Sequence, residues 1–97
     1  MIRTLIRLTL REIKEIAENS KGSNVSYRPS KISEKIMREN SIKNSMIVRQ
    51  VVKHVFEELC KYLNCEKRST SRGVVYEFKR EDILNMNIED LEDKILL

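Results

Sequence analysis

Residues 41–63, SIKNSMIVRQVVKHVFEELCKYL, carry the longest strongly periodic pattern in the chain, and their reading decides the fold. Val48, Val51, Val52, Val55, Phe56, Leu59, Cys60 and Leu63 recur at helical spacing, with Arg49, Gln50, Lys53, His54, Glu57, Glu58 and Lys61 between them. Apolar side chains spaced three or four residues apart fall on one side of a helix, so the stretch predicts an amphipathic helix with a broad buried stripe. The polar face is divided. Its first half carries Lys43, Arg49 and Lys53 and no acid, and its second half opens with Glu57 and Glu58. A basic, amide-bearing leading half on an anchored helix has the donors that groove reading requires. A core helix with a solvated face gives the same pattern and is its commoner origin.

Upstream, Asn40-Ser41-Ile42-Lys43 reads as a tight connection, with Ser41 or Asn44 placed to cap the long helix. Ile32, Ile36 and Met37 give a shorter helix one apolar edge. Pro29 pushes Arg28 out of the helical region, so this helix is expected to start near Ser30 or Lys31, with Ser30 as cap, and to end near Glu39 to Asn40. A short helix, a turn and a longer helix form a helix-turn-helix. Before it, Ile2, Ile6, Leu10, Ile13, Ile16 and Ala17 predict a helix from about residue 2 to 19. A start at the capping box Thr9 to Glu12 is the alternative. Gly22 is the expected left-handed cap, and Val25 to Tyr27 a brief extended piece. Leu5 and Leu8 widen the apolar face of this helix and are candidates for a dimer contact, a wide buried face being the plainer reading.

Downstream the period changes. Cys65 to Thr70, a turn at Ser71-Arg72-Gly73, and the alternating run Val74 to Arg80 predict a β-hairpin, with Val74, Tyr76 and Phe78 on one face. Lys67, Arg68 and Arg72 cluster at and beside its tip, where phosphate contact or simple solubility would use them. Asn87 can cap a last helix with an apolar edge of Ile88, Leu91, Ile95 and Leu96. That edge must either fold back on the first helix or meet a second subunit.

At 97 residues the chain holds one core. No apolar run has the length of a membrane span, and Arg3, Arg7 and Arg11 interrupt the N-terminal segment, so an intracellular, cytoplasmic protein without a membrane partner is expected. The formal charge of +4 conceals an asymmetry. Residues 1–80 hold 18 Lys and Arg against 9 Asp and Glu, net +9, and residues 81–97 hold 1 against 6, net −5. A basic body favours polyanions, and an acidic tail can screen them, bind a basic partner or aid solubility. Cys60 and Cys65 are expected as free, buried thiols, with an intrachain bridge at the helix end as the alternative and no metal site. One histidine, no glycine-rich phosphate loop and no identifiable nucleophile give no catalytic residues, no cofactor and no expectation of an enzyme. His54, among basic residues, is expected to be solvated or to face nucleic acid.

The segments NVSYRPSKISEKIMREN, SIKNSMIVRQVVKHVF and CEKRSTSRGVVYEFKR, as strand plus second helix, recognition helix and hairpin, resemble the winged helix-turn-helix family over nearly the whole chain. Such domains regulate transcription, serve replication or belong to small archaeal and viral genomes. The resemblance implies an α+β, mainly helical fold: a winged helix-turn-helix domain over residues 1–80, with three core helices and a two-stranded wing, and an acidic C-terminal helical extension over 81–97. It implies a small transcriptional regulator, a homodimer through the first or the C-terminal helix, reading double-stranded DNA with the Ser41–Lys53 half of the third helix. Ser41, Lys43, Asn44, Ser45, Arg49, Gln50 and Lys53 are then the contact positions. Arg49 and Gln50 suit base edges, Ser41, Lys43 and Ser45 suit phosphates, and Lys31, Lys35, Lys67, Arg68 and Arg72 suit the backbone. The competing reading is a protein-interaction subunit of a replication or transcription assembly, resting on the acidic, apolar-edged tail.

Overall fold

The structure, a computed structural model, describes residues 2–96. It is α+β and mainly helical. Helix α1 spans Ile2–Glu18 and is followed by strand β1, Asn24–Tyr27. Helices α2, Pro29–Glu39, and α3, Met46–Tyr62, come next. Strands β2, Cys65–Thr70, and β3, Gly73–Lys79, form the hairpin, and α4, Arg80–Leu84, and α5, Ile88–Leu96, close the chain.

Helix α1 is continuous from Ile2. Thr9 is fully buried in its middle and donates its hydroxyl to the carbonyl of Leu5 at 2.7 Å, which satisfies it inside the helix rather than as a cap. Gly22 does take a positive φ, 95°, but four residues past the last helical residue, where it turns the chain into β1 rather than capping α1. Pro29 occupies the first turn of α2, a position where its missing N–H costs nothing, so Ser30 lies inside the helix and is not its cap. The end of α2 is a Schellman turn: the Ser41 N–H donates to Arg38 O and the Ile42 N–H to Met37 O at 2.7 Å, with Ser41 at φ 54°. Ile42 is thereby half-buried against the core. Ser45 caps α3, its hydroxyl accepting from the Val48 N–H at 3.3 Å. The long helix therefore starts at Met46, and Ser41, Lys43 and Asn44 belong to the turn before it, a correction to the cap expected at Ser41 or Asn44.

The stripe of α3 is as the periodicity requires, with Val48, Val52, Val55, Phe56 and Leu59 buried. Phe56 is the hub, its ring centroid 5.2 Å from that of Tyr76, 5.7 Å from Tyr27 and 6.5 Å from Phe78. The sheet has three strands, not two. Its order is β1-β3-β2, all antiparallel, with Val25 opposite Phe78 and Lys67 opposite Tyr76. Strand β3 is thus central, and Val75, on the face expected to be outward, is buried too. Tyr27, the last residue of β1, is buried and donates its hydroxyl to Ile13 O at 2.7 Å; burial pushes its phenol well above the ordinary range.

The C-terminal segment comprises two helices and folds back on α1. Ile83, Met86, Leu91 and Ile95 are buried in the same core cluster as α1 and α3. Glu92, almost fully buried, accepts from Arg7 Nε at 2.8 Å and from Arg3 Nη1 at 3.1 Å, and Arg3 also bonds Asp93 at 2.7 Å. Leu5 is buried and Leu8 half-buried within the chain, so the width of the α1 face serves its own core. No described helix is long and apolar enough to cross a membrane.

Candidate nucleic-acid interface

The elements α2, α3 and the hairpin enclose an open groove of about 350 Å³, lined by Ser30, Ser33, Arg49, Lys53, Lys67 and Arg72 over a floor of Val74 and Tyr76. Each cation is placed by a different local rule. Arg49 and Lys53 are four residues apart, hence on one side of α3, and both are exposed. Lys67 projects from β2 on the same sheet face as Tyr76, its Nζ 5.7 Å from the centre of that ring. Arg72 stands in the hairpin turn. Neither Ser71 nor Arg72 has a positive φ, so the turn is not of the primed types, and Gly73 at φ 111° absorbs the twist. None of the described lining residues is acidic. Four exposed cations line the groove over a partly apolar floor with no acid among the described lining residues, an arrangement that favours a polyanion.

The remaining predicted residues fall elsewhere. Asn44 accepts a hydrogen bond from Arg49 Nη1, so this turn residue orients a groove cation from outside the helix. Gln50 and Lys43 are exposed, and Ser41 is the αL residue of the Schellman turn. Ser45 is occupied as the cap of α3. Lys35 is drawn away: it forms an ion pair with the buried Glu12 of α1, which raises its pKa and removes it from the phosphate contacts expected of it. Lys31 and Arg68 line a second groove, of about 660 Å³, with Arg28. This groove is larger but less charged in effect, because Lys31 lies 3.9 Å from Glu34 and Arg68 3.8 Å from Glu77. Successive residues of a strand face opposite ways, and so Lys67 and Arg68 serve different grooves.

His54 turns toward α5, its Nε2 3.3 Å from Ile95 O, and not toward the basic groove. The cysteines are not free: Cys60 and Cys65 are joined as a disulfide, with Cα atoms 5.4 Å apart. Arg28, Ser30 and Ser33 also line the grooves and are not among the contacts expected from the sequence. Ser30 and Ser33 sit three apart on α2, and that spacing was the available signal. No α5 residue lines the basic groove; the acids Glu92 and Asp93 are spent on Arg3 and Arg7 instead. Comparison of the chain with family models, with curated proteins and with solved structures returned no match.

Proposed function

We propose that the chain is a DNA-binding protein of winged helix-turn-helix type, a small transcriptional regulator in which α3 enters a groove of duplex DNA and the β2–β3 hairpin is the wing. The observation that carries this reading is the acid-free groove walled by Arg49 and Lys53 on one side and Lys67 and Arg72 on the other. Phosphate oxygens are the ligands that such a constellation takes best, and Arg49 and Gln50 on the exposed side of α3 can reach base edges. Met46, 68% exposed at the start of α3, adds an apolar side chain suited to a thymine methyl group.

The order of elements supports the reading as well: helix, strand, helix, turn, helix and hairpin, with a short connection between α2 and α3. A homodimer through α1 or α5 would draw on Ile2 and Leu96, which among the described residues are the large apolar side chains that these helices leave exposed. Light scattering of the protein alone and with a pool of random-sequence duplexes tests both points. A rise in mass with duplex at low salt supports DNA binding, and an unchanged mass at every duplex concentration refutes it.

A further inference from the structure

Strand β2 is held to the body by little. It is an edge strand, bonded only to β3, and from Glu66 to Thr70 every residue is exposed. It makes no other extensive packing contact. What fastens its beginning is the bond from Cys65, its first residue, to Cys60 in the last turns of α3. Both cysteines are half-buried and packed against the core, and only Lys61, Tyr62, Leu63 and Asn64 separate them. Cys65 and Lys67 are two apart on one strand and share a face. Cys60 follows Lys53 along α3 by about two turns. The bridge therefore ties together the two walls of the basic groove at their common end.

We propose that Cys60–Cys65 is a reversible thiol–disulfide tether that sets the position of the edge strand β2 relative to α3, so that the redox state controls the width of the groove. The chemistry needs an exchange partner, a low-molecular-weight disulfide such as glutathione disulfide. One cysteine thiolate attacks a sulfur of that disulfide, forming a mixed disulfide and expelling one glutathione thiolate. The second cysteine thiolate then attacks the protein-side sulfur and expels the other. Two protein thiols become one disulfide, one glutathione disulfide becomes two glutathione thiols, and the two electrons lost by the protein are those gained by glutathione. Reduction runs the same steps backward. Neither cysteine is fully buried, and Cys65 opens an exposed edge strand on which the partner can approach.

The consequence for nucleic acid rests on the proposed function, whereas the tether itself does not. The test equilibrates the full chain in glutathione buffers of graded composition, counts thiols by alkylation and mass, and measures hydrogen exchange in each state. The tether predicts full interconversion of the two-thiol and disulfide forms. On reduction, amides of β2 exchange about fivefold faster or more, while β1, α1 and α2 keep their protection. Cys65→Ser should match the reduced protein, and reduced wild type serves the same purpose if that variant folds poorly. Equal exchange of β2 in both states, or thiols that do not re-form the bond, would overturn it. Duplex affinity, measured in parallel, should fall about tenfold on reduction, and a Lys67→Ala change should matter less in the reduced protein. If neither state binds duplex, the DNA reading fails while hydrogen exchange still decides the tether.

Discussion

Lys53 on α3 and Lys67 on β2 face the same groove from opposite walls, although the rest of α3, a short connection and the start of β2 separate them in the chain. Two like charges are brought together here with no acid between them, an arrangement that destabilises the free protein slightly and that a polyanion relieves. Lys53→Glu or Arg49→Glu should therefore lower affinity for duplex DNA about 100-fold or more at low salt, and leave the thermal midpoint unchanged or slightly raised. Anisotropy titration together with a thermal melt checks both halves of this expectation.

Lys67→Ala and Arg72→Ala should each weaken binding modestly and lower the slope of log K against log salt by about 1, evenly across DNA sequences. Lys35→Ala should leave that slope unchanged, because its charge is committed to Glu12. It should instead lower stability by leaving the buried Glu12 carboxylate without its partner.

Ser41 is the one described non-glycine residue at positive φ, 54°. A left-handed L-residue costs about 1–2 kcal/mol, and glycine gives back about 0.4–1 kcal/mol through the unfolded chain. Ser41→Gly should consequently stabilise the fold by roughly 0.5–1 kcal/mol, read as a rise of a few degrees in midpoint. Its effect on DNA affinity should be small, since Ser41 lies in the turn and not on α3.

The clamp of Glu92 between Arg7 and Arg3 gives stability a defined pH dependence. Hydrogen bonding from Arg7 and then Arg3 holds the Glu92 carboxyl below its usual value despite burial. Its contribution is complete above the unfolded value of about 4.3 and is lost as pH falls through the lower folded value. Glu92→Gln should be less stable than wild type at pH 7, and the gap should close in acid below about pH 4. A constant gap at all pH values would show that the loss is one of packing.

Phe56 touches three aromatic rings and is fully buried. Phe56→Ala should cost about 3–5 kcal/mol, a large share of the total for a domain of this size, and chemical denaturation would show it as a lowered midpoint.

Much of this was legible in the sequence because periodicity reports burial directly. The stripe from Val48 to Leu59 and the alternation at Tyr76 and Phe78 are consequences of packing on one side, and the structure buries those residues. Asn87 caps α5 as its side chain allows, accepting from the Asp90 N–H at 3.0 Å. Non-local choices were not legible. Whether Ser41, Asn44 or Ser45 caps α3 depends on where the Schellman turn leaves the chain, and Ile42 decides that by packing against the core. The pairing of β1 with β3 and the withdrawal of Lys35 to Glu12 each join segments that no local pattern relates, whereas the bridge of Cys60 to Cys65 is the alternative that their close spacing left open.

If the basic groove binds DNA, its affinity for a random-sequence duplex depends steeply on salt. Four groove cations that each displace a counterion predict a slope of about −3.6 in log K against log salt, reduced when Arg49 or Lys53 is reversed. A slope near zero, or one that both reversals leave unchanged, would contradict the assignment of this groove to DNA.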